Sequence, residues 1–364
     1  MTWPRRAARA SPREAGSRFR ASHVREDGAC LFDLALTALR LTHAPPMTSL
    51  LFIAPKNLGE TVLALAPFAH VCAANEADEI VVICDDAARP LFRAMARARC
   101  APPSAIAAWG QIVRGVRRPY DVLFDLRRMS SVIAVRAKRR LVLKEPRTLR
   151  HLSEDYAEAA GLATLSPSAA PPAIHIDDQA RDTARALLGG NGPLLVLSPG
   201  DAPVTGQWPA EHFAAVARRL VSGMGSLSGA RVVILGDEKD ARIARTIALS
   251  LDADGVGAID ATGVLDVLAA AALLERATLF IGNDGPLMHV SAAIGAPTLG
   301  LFGPSDERVR GPRGIRTAAL RARPFADIMA DMHAAREPRS WLTDISVDSV
   351  EEAATALVRA GGVY

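Results

Sequence analysis

The chain has 364 residues, of which 49% are hydrophobic and 23% charged, a composition typical of a folded globular protein. No apolar run reaches the roughly 18–20 residues of a membrane-spanning helix; the nearest, residues 29–41, contains Asp33 and Arg40. Residues 1–46 carry the whole net charge of +4. The other residues contain equal numbers of acidic and basic side chains, which argues against a nucleic-acid-binding protein.

Residues 1–46 form a basic leader that we expect to be disordered or to precede a true translation start at Met47. The alternative is a basic arm that contacts anionic lipid at the inner face of the cytoplasmic membrane. The leader lacks the features of a secretory signal, and the four cysteines have neither CxxC spacing nor nearby His partners. We therefore predict a cytoplasmic protein without a metal site or disulfide framework.

Residues 47–162 alternate predicted strands with helices. The apolar run 49–54 predicts a buried strand, residues 55–61 a Gly-containing turn that carries Glu60, and the apolar stretch up to Val71 a helix. Further strands are predicted at 79–84 and 121–125. In a parallel sheet such a turn lies at the carboxyl edge, where α/β proteins bind ligands.

A basic segment follows the third of these strands. Nine Arg and Lys residues lie between positions 127 and 150, in a body that is otherwise neutral. Such a charge run usually forms a solvated face, but it can also attract an anionic acceptor. Arg127, Arg139 and Arg140 are the candidate acceptor-binding residues.

Residues 163–175 are rich in Pro, Ala and Ser, which predicts a linker. Residues 176–345 again alternate strands and helices, so we predict a second βαβ domain that faces the first. Residues 346–364 contain a further predicted helix with a Ser or Asp cap.

The most distinctive stretch is residues 278–306, which read TLFIGNDGPLMHVSAAIGAPTLGLFGPSD. It predicts a strand, a Gly-Asn-Asp-Gly-Pro turn, a short helix and a second strand. Pro286 suits a first helical position because it lacks the N–H that would be unpaired there. The free N–H groups and positive end of such a helix favour phosphate binding, although an ordinary βαβ crossover has the same layout.

Asp284, His289 and the closing Phe-Gly-Pro-Ser-Asp of this stretch resemble the signature of glycosyltransferase family 9, the heptosyltransferases. Residues 120–126 (YDVLFDL) and 199–209 (PGDAPVTGQWP) resemble two further family segments. The resemblance implies an α/β fold with two facing Rossmann-like domains of the GT-B type. It also implies inverting transfer of a heptose or related sugar from an ADP-sugar to a lipopolysaccharide core or similar anionic glycolipid. No cofactor or metal is expected.

The resemblance also implies residue roles. Glu60 stands where the family has an Asp thought to be the catalytic base, and Asp240 and Leu265 match positions for the donor ribose and adenine. The expected donor-binding residues are Gly200, Asp201, Ala202, Thr205, Asp240, Leu265, Asp284, Gly285, Pro286, Leu287 and His289. From the residues alone, Glu60 is equally a first-turn acid of a helix, Asp240 a helix cap, and His289 a packing residue.

Besides Glu60, three further substitutions separate the chain from the family pattern. Gly206 stands where the family has a Lys that meets the donor phosphates, and Gly285 and Pro286 replace the usual Ser or Thr and Gly. A lost charge-assisted contact costs about 1.5–3 kcal/mol, and backbone N–H groups, Thr205 or an Arg from elsewhere are candidate replacements. The alternative is therefore a catalytically impaired member that binds nucleotide or glycan without transfer. No dinucleotide-binding or P-loop motif supports a nicotinamide-dependent enzyme or a P-loop NTPase.

The resemblance also implies a position for the last helix. In glycosyltransferases with two Rossmann-like domains, a C-terminal helix such as the one predicted at 346–364 typically crosses back and packs on the N-terminal domain.

Overall fold

The computed structural model describes residues 48–104, 119–145, 149–162, 174–200, 204–335 and 339–361. The predicted leader at 1–46 and residues 163–173 of the predicted linker lie outside these ranges. The described residues contain two parallel sheets flanked by helices. The residues of the first sheet with their helices are called the N-terminal domain here, and those of the second sheet the C-terminal domain.

The first sheet has the strand order β3-β2-β1-β4-β5, and its neighbouring strands are parallel. β1 is central and fully apolar after its first residue, so it is buried on both faces, as expected for such a strand. The strands are β1 (Ser49–Ile53), β2 (Glu79–Ile83), β3 (Ala98–Ala101), β4 (Tyr120–Asp125) and β5 (Ala137–Val142).

The second sheet repeats this layout in the order β11-β10-β9-β6-β7-β8, again with parallel neighbours. Its strands are β6 (Leu194–Ser198), β7 (Arg231–Ile234), β8 (Ala258–Asp260), β9 (Leu279–Asn283), β10 (Thr298–Leu301) and β11 (Thr317–Leu320). In each sheet the strand order reverses beside the first strand. This point lies between β1 and β4 in the first sheet and between β6 and β9 in the second. Ligands of doubly wound folds bind at the carboxyl ends of the strands at this point.

The α-helices cover both sheets, and several of them end at a Gly or Asn C-cap. They are α1 (Leu58–Ala74), α2 (Leu152–Ala159), α3 (Asp178–Leu188), α4 (Ala210–Val221), α5 (Ala241–Ala253), α6 (Val267–Leu274), α7 (Pro286–Ile294), α8 (Glu307–Arg310), α9 (Phe325–Ala334) and α10 (Val347–Gly361).

The two domains meet where α1 packs against α7 and where α6 packs against the 3₁₀ helix Asp86–Phe92. Arg93 joins them with charges: its guanidinium donates to Asp177 at 2.6 Å and to Asp266 at 2.8 Å. These two acids cap α3 and α6, so one arginine ties two helix starts of the C-terminal domain to the N-terminal domain.

The last helix does not pack as the family architecture suggested. α10 lies against α4 and against β9, β10 and β11 of the C-terminal sheet. Val350 and Ala354 are fully buried in the same apolar cluster as Phe213 and Leu220 of α4. The expectation that this helix covers the N-terminal domain was therefore wrong, because its apolar face matches the stripe that α4 presents beside it.

Candidate active site between the two domains

The loop that follows β6 is fixed to the end of β9 by one buried asparagine. Asn283 Nδ2 donates to the carbonyl of Pro199 at 2.6 Å, and its Oδ1 accepts from the Trp208 backbone N–H at 3.1 Å. The carbonyl of Thr205 accepts from the Trp341 N–H at 3.0 Å. The predicted donor residue Gly200 thus follows a residue bonded to the end of β9, and Thr205 lies beside Trp341, whereas Asp201 and Ala202 lie outside the described residues.

Asp240 is the third residue of a capping box whose N-cap is Asp237. Its side chain is buried, and Oδ2 accepts from the Asp237 N–H at 2.9 Å in a capping box. A Cβ placed on Gly200 would lie 2.0 Å from Asp240 Cγ, so the loop passes directly over the carboxylate. This arrangement matches the helix-cap interpretation of Asp240. Leu265 is half-buried against the core, in the turn beyond Gly263, whose N–H donates to the Gly236 carbonyl at 2.9 Å.

The α7 start has the geometry that its sequence predicts. Gly285 is the N-cap in an extended conformation, Pro286 is the first helical residue, and Gly295 ends the helix with φ of 86°. Leu287 and His289 are buried. The first turn of a nine-residue helix therefore points its free N–H groups toward the interface with α1.

Asp284 lies directly before this helix start and is largely enclosed. Burial raises its pKa, and a hydrogen bond from Ser305 and the charges of Arg310 and Arg321 act in the opposite direction. Ser305, from the Phe-Gly-Pro-Ser-Asp segment, therefore acts on the pKa of Asp284 against the effect of burial.

His289 is buried against the other domain. A Cβ placed on Gly59 would lie 2.8 Å from His289 Cδ2 and 3.4 Å from Pro286 Cα, so only a glycine lets α1 and α7 approach this closely. Burial lowers the pKa of His289 to about 3, with smaller effects from His151 and Arg310. The ring is neutral at pH 7, and within the described residues its Nδ1 has no hydrogen-bond partner.

Glu60 lies in the first turn of α1, next to Gly59, at the same meeting point. Its Oε1 accepts from Arg310 at 3.0 Å and its Oε2 from the Tyr156 hydroxyl at 3.3 Å. Burial, followed by the nearby Glu60 charge, raises the pKa of Tyr156, so this hydroxyl stays protonated and donates. The predicted base is thus held from α2 and from the end of α8.

The predicted acceptor arginines do not form one cluster. Arg127 Nη1 and Nη2 both lie 3.1 Å from Asp85 Oδ1, within the N-terminal domain. Arg139 and Arg140 are exposed neighbours on the edge strand β5, so they point to opposite faces, and Arg140 donates to backbone carbonyls of Val132 and Val135. Arg139 lies three residues, about 10 Å, before the carboxyl end of β5.

Three residues of the site were not among the predicted ones. Tyr156 and Arg310 contact Glu60, and Asn283 fixes the loop after β6. Asn283 had a signal, because it lies inside the Gly-Asn-Asp turn. Arg310 follows the Phe-Gly-Pro-Ser-Asp segment by four residues, but nothing local distinguishes it from the other arginines nearby.

Within the described ranges, no group of three or more His, Cys, Asp or Glu side chains is arranged to hold a metal ion. A search of the same residues finds no helix with the length and apolar character needed to cross a bilayer.

Two Rossmann-like domains that face one another are typical of the GT-B class of glycosyltransferase folds. The family model for glycosyltransferase family 9 (heptosyltransferase) matches residues 110–327, more than half of the chain. The chain therefore belongs to glycosyltransferase family 9. The fold and family expected from the sequence are confirmed.

Known proteins similar to this chain agree with that assignment. The glycosyl transferase family 9 structure from Veillonella parvula superposes with a TM-score of 0.72 and 20% identity, over 87% of this chain and 100% of that one. The Escherichia coli ADP-heptose lps heptosyltransferase II gives 0.69 and 19%, over 86% and 99%. The curated lipopolysaccharide heptosyltransferase 2 of E. coli is 26% identical over 173 residues, which are 47% of this chain and 48% of that protein. The chain thus spans less than half the length of the curated relatives it matches.

Proposed function

We propose that this chain is an inverting glycosyltransferase that moves a heptose or related sugar from an ADP-sugar to a lipopolysaccharide core or a similar glycan. The observation that carries the proposal is the position of Glu60. Its carboxylate, in α1 of one domain, lies beside the α7 start of the other, through the contact of Gly59 with Pro286 and His289. A proton acceptor and a phosphate-binding helix start therefore face the same small volume.

The transfer needs one displacement. The Glu60 carboxylate takes the proton of the acceptor hydroxyl, and that oxygen bonds to the anomeric carbon from the face opposite the diphosphate. The bond between the anomeric carbon and the diphosphate oxygen breaks, and ADP leaves with the electron pair. The free N–H groups of α7 stabilise the charge that develops on the leaving phosphate.

The donor and acceptor classes rest on different support. The E. coli structural neighbour is an ADP-heptose lps heptosyltransferase, which makes an ADP-sugar the first donor to test. The acceptor class is inferred from charge: Arg139, one of the predicted acceptor-binding residues, is exposed on β5 and would attract a phosphorylated glycan.

The proposal is tested with ADP-heptose and a panel of truncated core lipids, with the product mass read directly. Glu60→Gln should abolish transfer, because the amide cannot accept the proton, and should bind ADP at least as tightly as the wild type by calorimetry. Glu211→Gln is the matched control, since Glu211 is a first-turn acid of α4 away from the interface. Its transfer should equal that of the wild type.

Each result separates one alternative. Normal transfer by Glu60→Gln would show that another group is the base. Binding of ADP without transfer to any acceptor would favour the impaired, nucleotide-binding member of the family. If calorimetry detects no heat of binding with any nucleotide diphospho-sugar, the proposed function is wrong.

A further inference from the structure

Arg310 joins the two domains at the proposed catalytic carboxylate. It is the last residue of α8, and its Nη2 lies 3.0 Å from Glu60 Oε1. Its side chain is 46% exposed, so the guanidinium lies at a solvent-accessible opening of the interface and is not part of the core. The contact joins residues 250 positions apart in the chain.

The guanidinium lies next to the expected phosphate position. Glu60 is adjacent to Gly59, which contacts the first turn of α7. Burial raises the pKa of Asp284 and lowers that of His289, and the charge of Arg310 adds a smaller lowering to each. The unpartnered Nδ1 of the buried His289 is a second polar group at the same place.

Two other arginines near the Phe-Gly-Pro-Ser-Asp segment are held within the C-terminal domain. Arg308 donates to both carboxylate oxygens of Asp306, at 2.9 and 2.7 Å. Arg321 is half-buried and donates to Glu307 and to two backbone carbonyls. Arg310 instead pairs with a residue of the other domain, on the side that a donor would enter.

We propose that Arg310 binds the diphosphate of the donor and replaces the charge of the lysine that is absent at Gly206. In the unliganded protein the same guanidinium holds Glu60, and the diphosphate displaces this carboxylate. The inference rests on the function proposed above.

The exchange follows from charge and geometry. A diphosphate carries more negative charge than one carboxylate and offers the paired oxygens that a guanidinium binds in a fork. While Arg310 donates to Oε1, that carboxylate oxygen is not available to the hydroxyl of an acceptor. Donor binding would therefore release the base at the moment when the sugar is in position.

The first test measures ADP and adenosine binding by calorimetry. Arg310→Gln should weaken ADP binding by about 10–100-fold, since a charge-assisted contact is lost, and should leave adenosine binding unchanged. Arg310→Lys should restore part of the loss. Arg313→Gln is the matched control, because Arg313 also crosses the interface, to Glu154 at 3.0 Å. It should bind ADP like the wild type.

The second test uses the partner of Arg310. Glu60→Gln removes the carboxylate that competes with the diphosphate, so it should tighten ADP binding severalfold. The same change in the Arg310→Gln background should have no effect. This cycle keeps the inference testable even if one single variant is poorly folded.

The outcomes distinguish this inference from the proposed function. If the wild type transfers sugar and Arg310→Gln binds ADP normally, or loses no more affinity than Arg313→Gln, the ion pair is only a link between domains and the inference is overturned. If Glu60→Gln leaves ADP affinity unchanged, displacement is overturned. If the wild type binds no ADP, the proposed function fails as well.

Discussion

Glu60 receives a hydrogen bond from one neutral donor and an ion pair from one cation, and the two contacts have different consequences. Arg310 is half-exposed and can move, whereas Tyr156 is buried and belongs to α2 of the same domain. The tyrosine hydroxyl therefore orients the carboxylate whether or not a donor is bound. Tyr156 is a positioning residue, since it acts on the substrate through Glu60.

Tyr156→Phe should lower kcat about tenfold, in line with a hydrogen bond to a charged group worth roughly 1.5–3 kcal/mol. ADP affinity should not change, because the hydroxyl lies on the carboxylate and not on the helix start. Steady-state kinetics and calorimetry measure the two effects. Tyr120→Phe is the control, since Tyr120 begins β4 at the opposite end of the strand from the interface. If the kcat of Tyr156→Phe equals that of Tyr120→Phe, Tyr156 does not position Glu60.

Asp240 shows how one residue can fit two interpretations. An acid just before a helix is expected both as a ribose ligand in the family pattern and as a cap in any helix. The structure shows the capping-box contact: the carboxylate is buried under Gly200 and accepts from the Asp237 N–H. The ribose contact stays a prediction. Sequence alone could not show that the β6 loop passes over this carboxylate.

At the scale of elements, the site is the place where two helix starts meet. α1 begins after the cap Asn57, whose Oδ1 accepts from the Glu60 N–H at 2.8 Å, and α7 begins after Gly285. The close approach depends on Gly59, since any side chain there would meet His289 and Pro286. Both helices present positive ends to the same volume, which favours an anionic ligand between them.

Gly59→Ala should therefore separate the two helix starts. The added methyl would lie 2.8 Å from His289 Cδ2, and overpacking of this kind costs about 1–3 kcal/mol. Because catalysis depends on the alignment of base and donor, we expect transfer to fall at least tenfold, with a lower urea midpoint.

Gly223→Ala is the control for this substitution, as a Cβ at that position meets no atom within 4 Å. Wild-type transfer by Gly59→Ala would mean that the distance between α1 and α7 does not limit the reaction.

α10 shows the limit of reasoning from an architecture. Its sequence predicts an amphipathic helix, and the structure contains one at Val347–Gly361. Which surface it covers depends on the apolar stripe that lies nearest, and that stripe belongs to α4. An amphipathic pattern predicts which face of a helix is buried, but not which other element that face packs against.

At the scale of the whole molecule, two buried histidines lie on opposite sides of the domain interface. His151 caps α2, and its Nε2 lies 3.0 Å from the Gly311 carbonyl of the other domain. Burial and then Arg313 lower the pKa of His151 to about 4, against smaller opposite effects of the Gly311 hydrogen bond and Glu154. His289 has its pKa lowered to about 3 by burial, His151 and Arg310.

Stability should therefore decrease as the pH falls below about 6.5, the ordinary histidine pKa. Above that value both histidines are neutral in the folded and unfolded states, and their contribution is fully present. As the pH falls toward 4, the unfolded chain binds protons that the folded one excludes, so the free energy of unfolding drops. Urea midpoints between pH 7.5 and 4.5 measure the effect.

His151→Asn tests the assignment, since Asn can still cap α2 but does not titrate. Its urea midpoint should change less with pH than that of the wild type over the same range. An identical pH dependence in the two proteins would assign the acid destabilisation to other groups.

The sequence by itself determined the strands with continuous apolar runs, the Gly-rich turns and the α7 start, because caps and apolar runs act over a few residues. The edge strands β3, β5, β8 and β11 lack such runs and were not predicted. It also placed Glu60 and residues 284–289 on turns at the carboxyl edges of two parallel sheets, where a site was expected. Only the tertiary structure decided that Arg310 meets Glu60, that Gly200 covers Asp240, and that α10 lies on α4. These contacts join residues 40 to 250 positions apart, and such pairings depend on how whole elements pack, which no local pattern encodes.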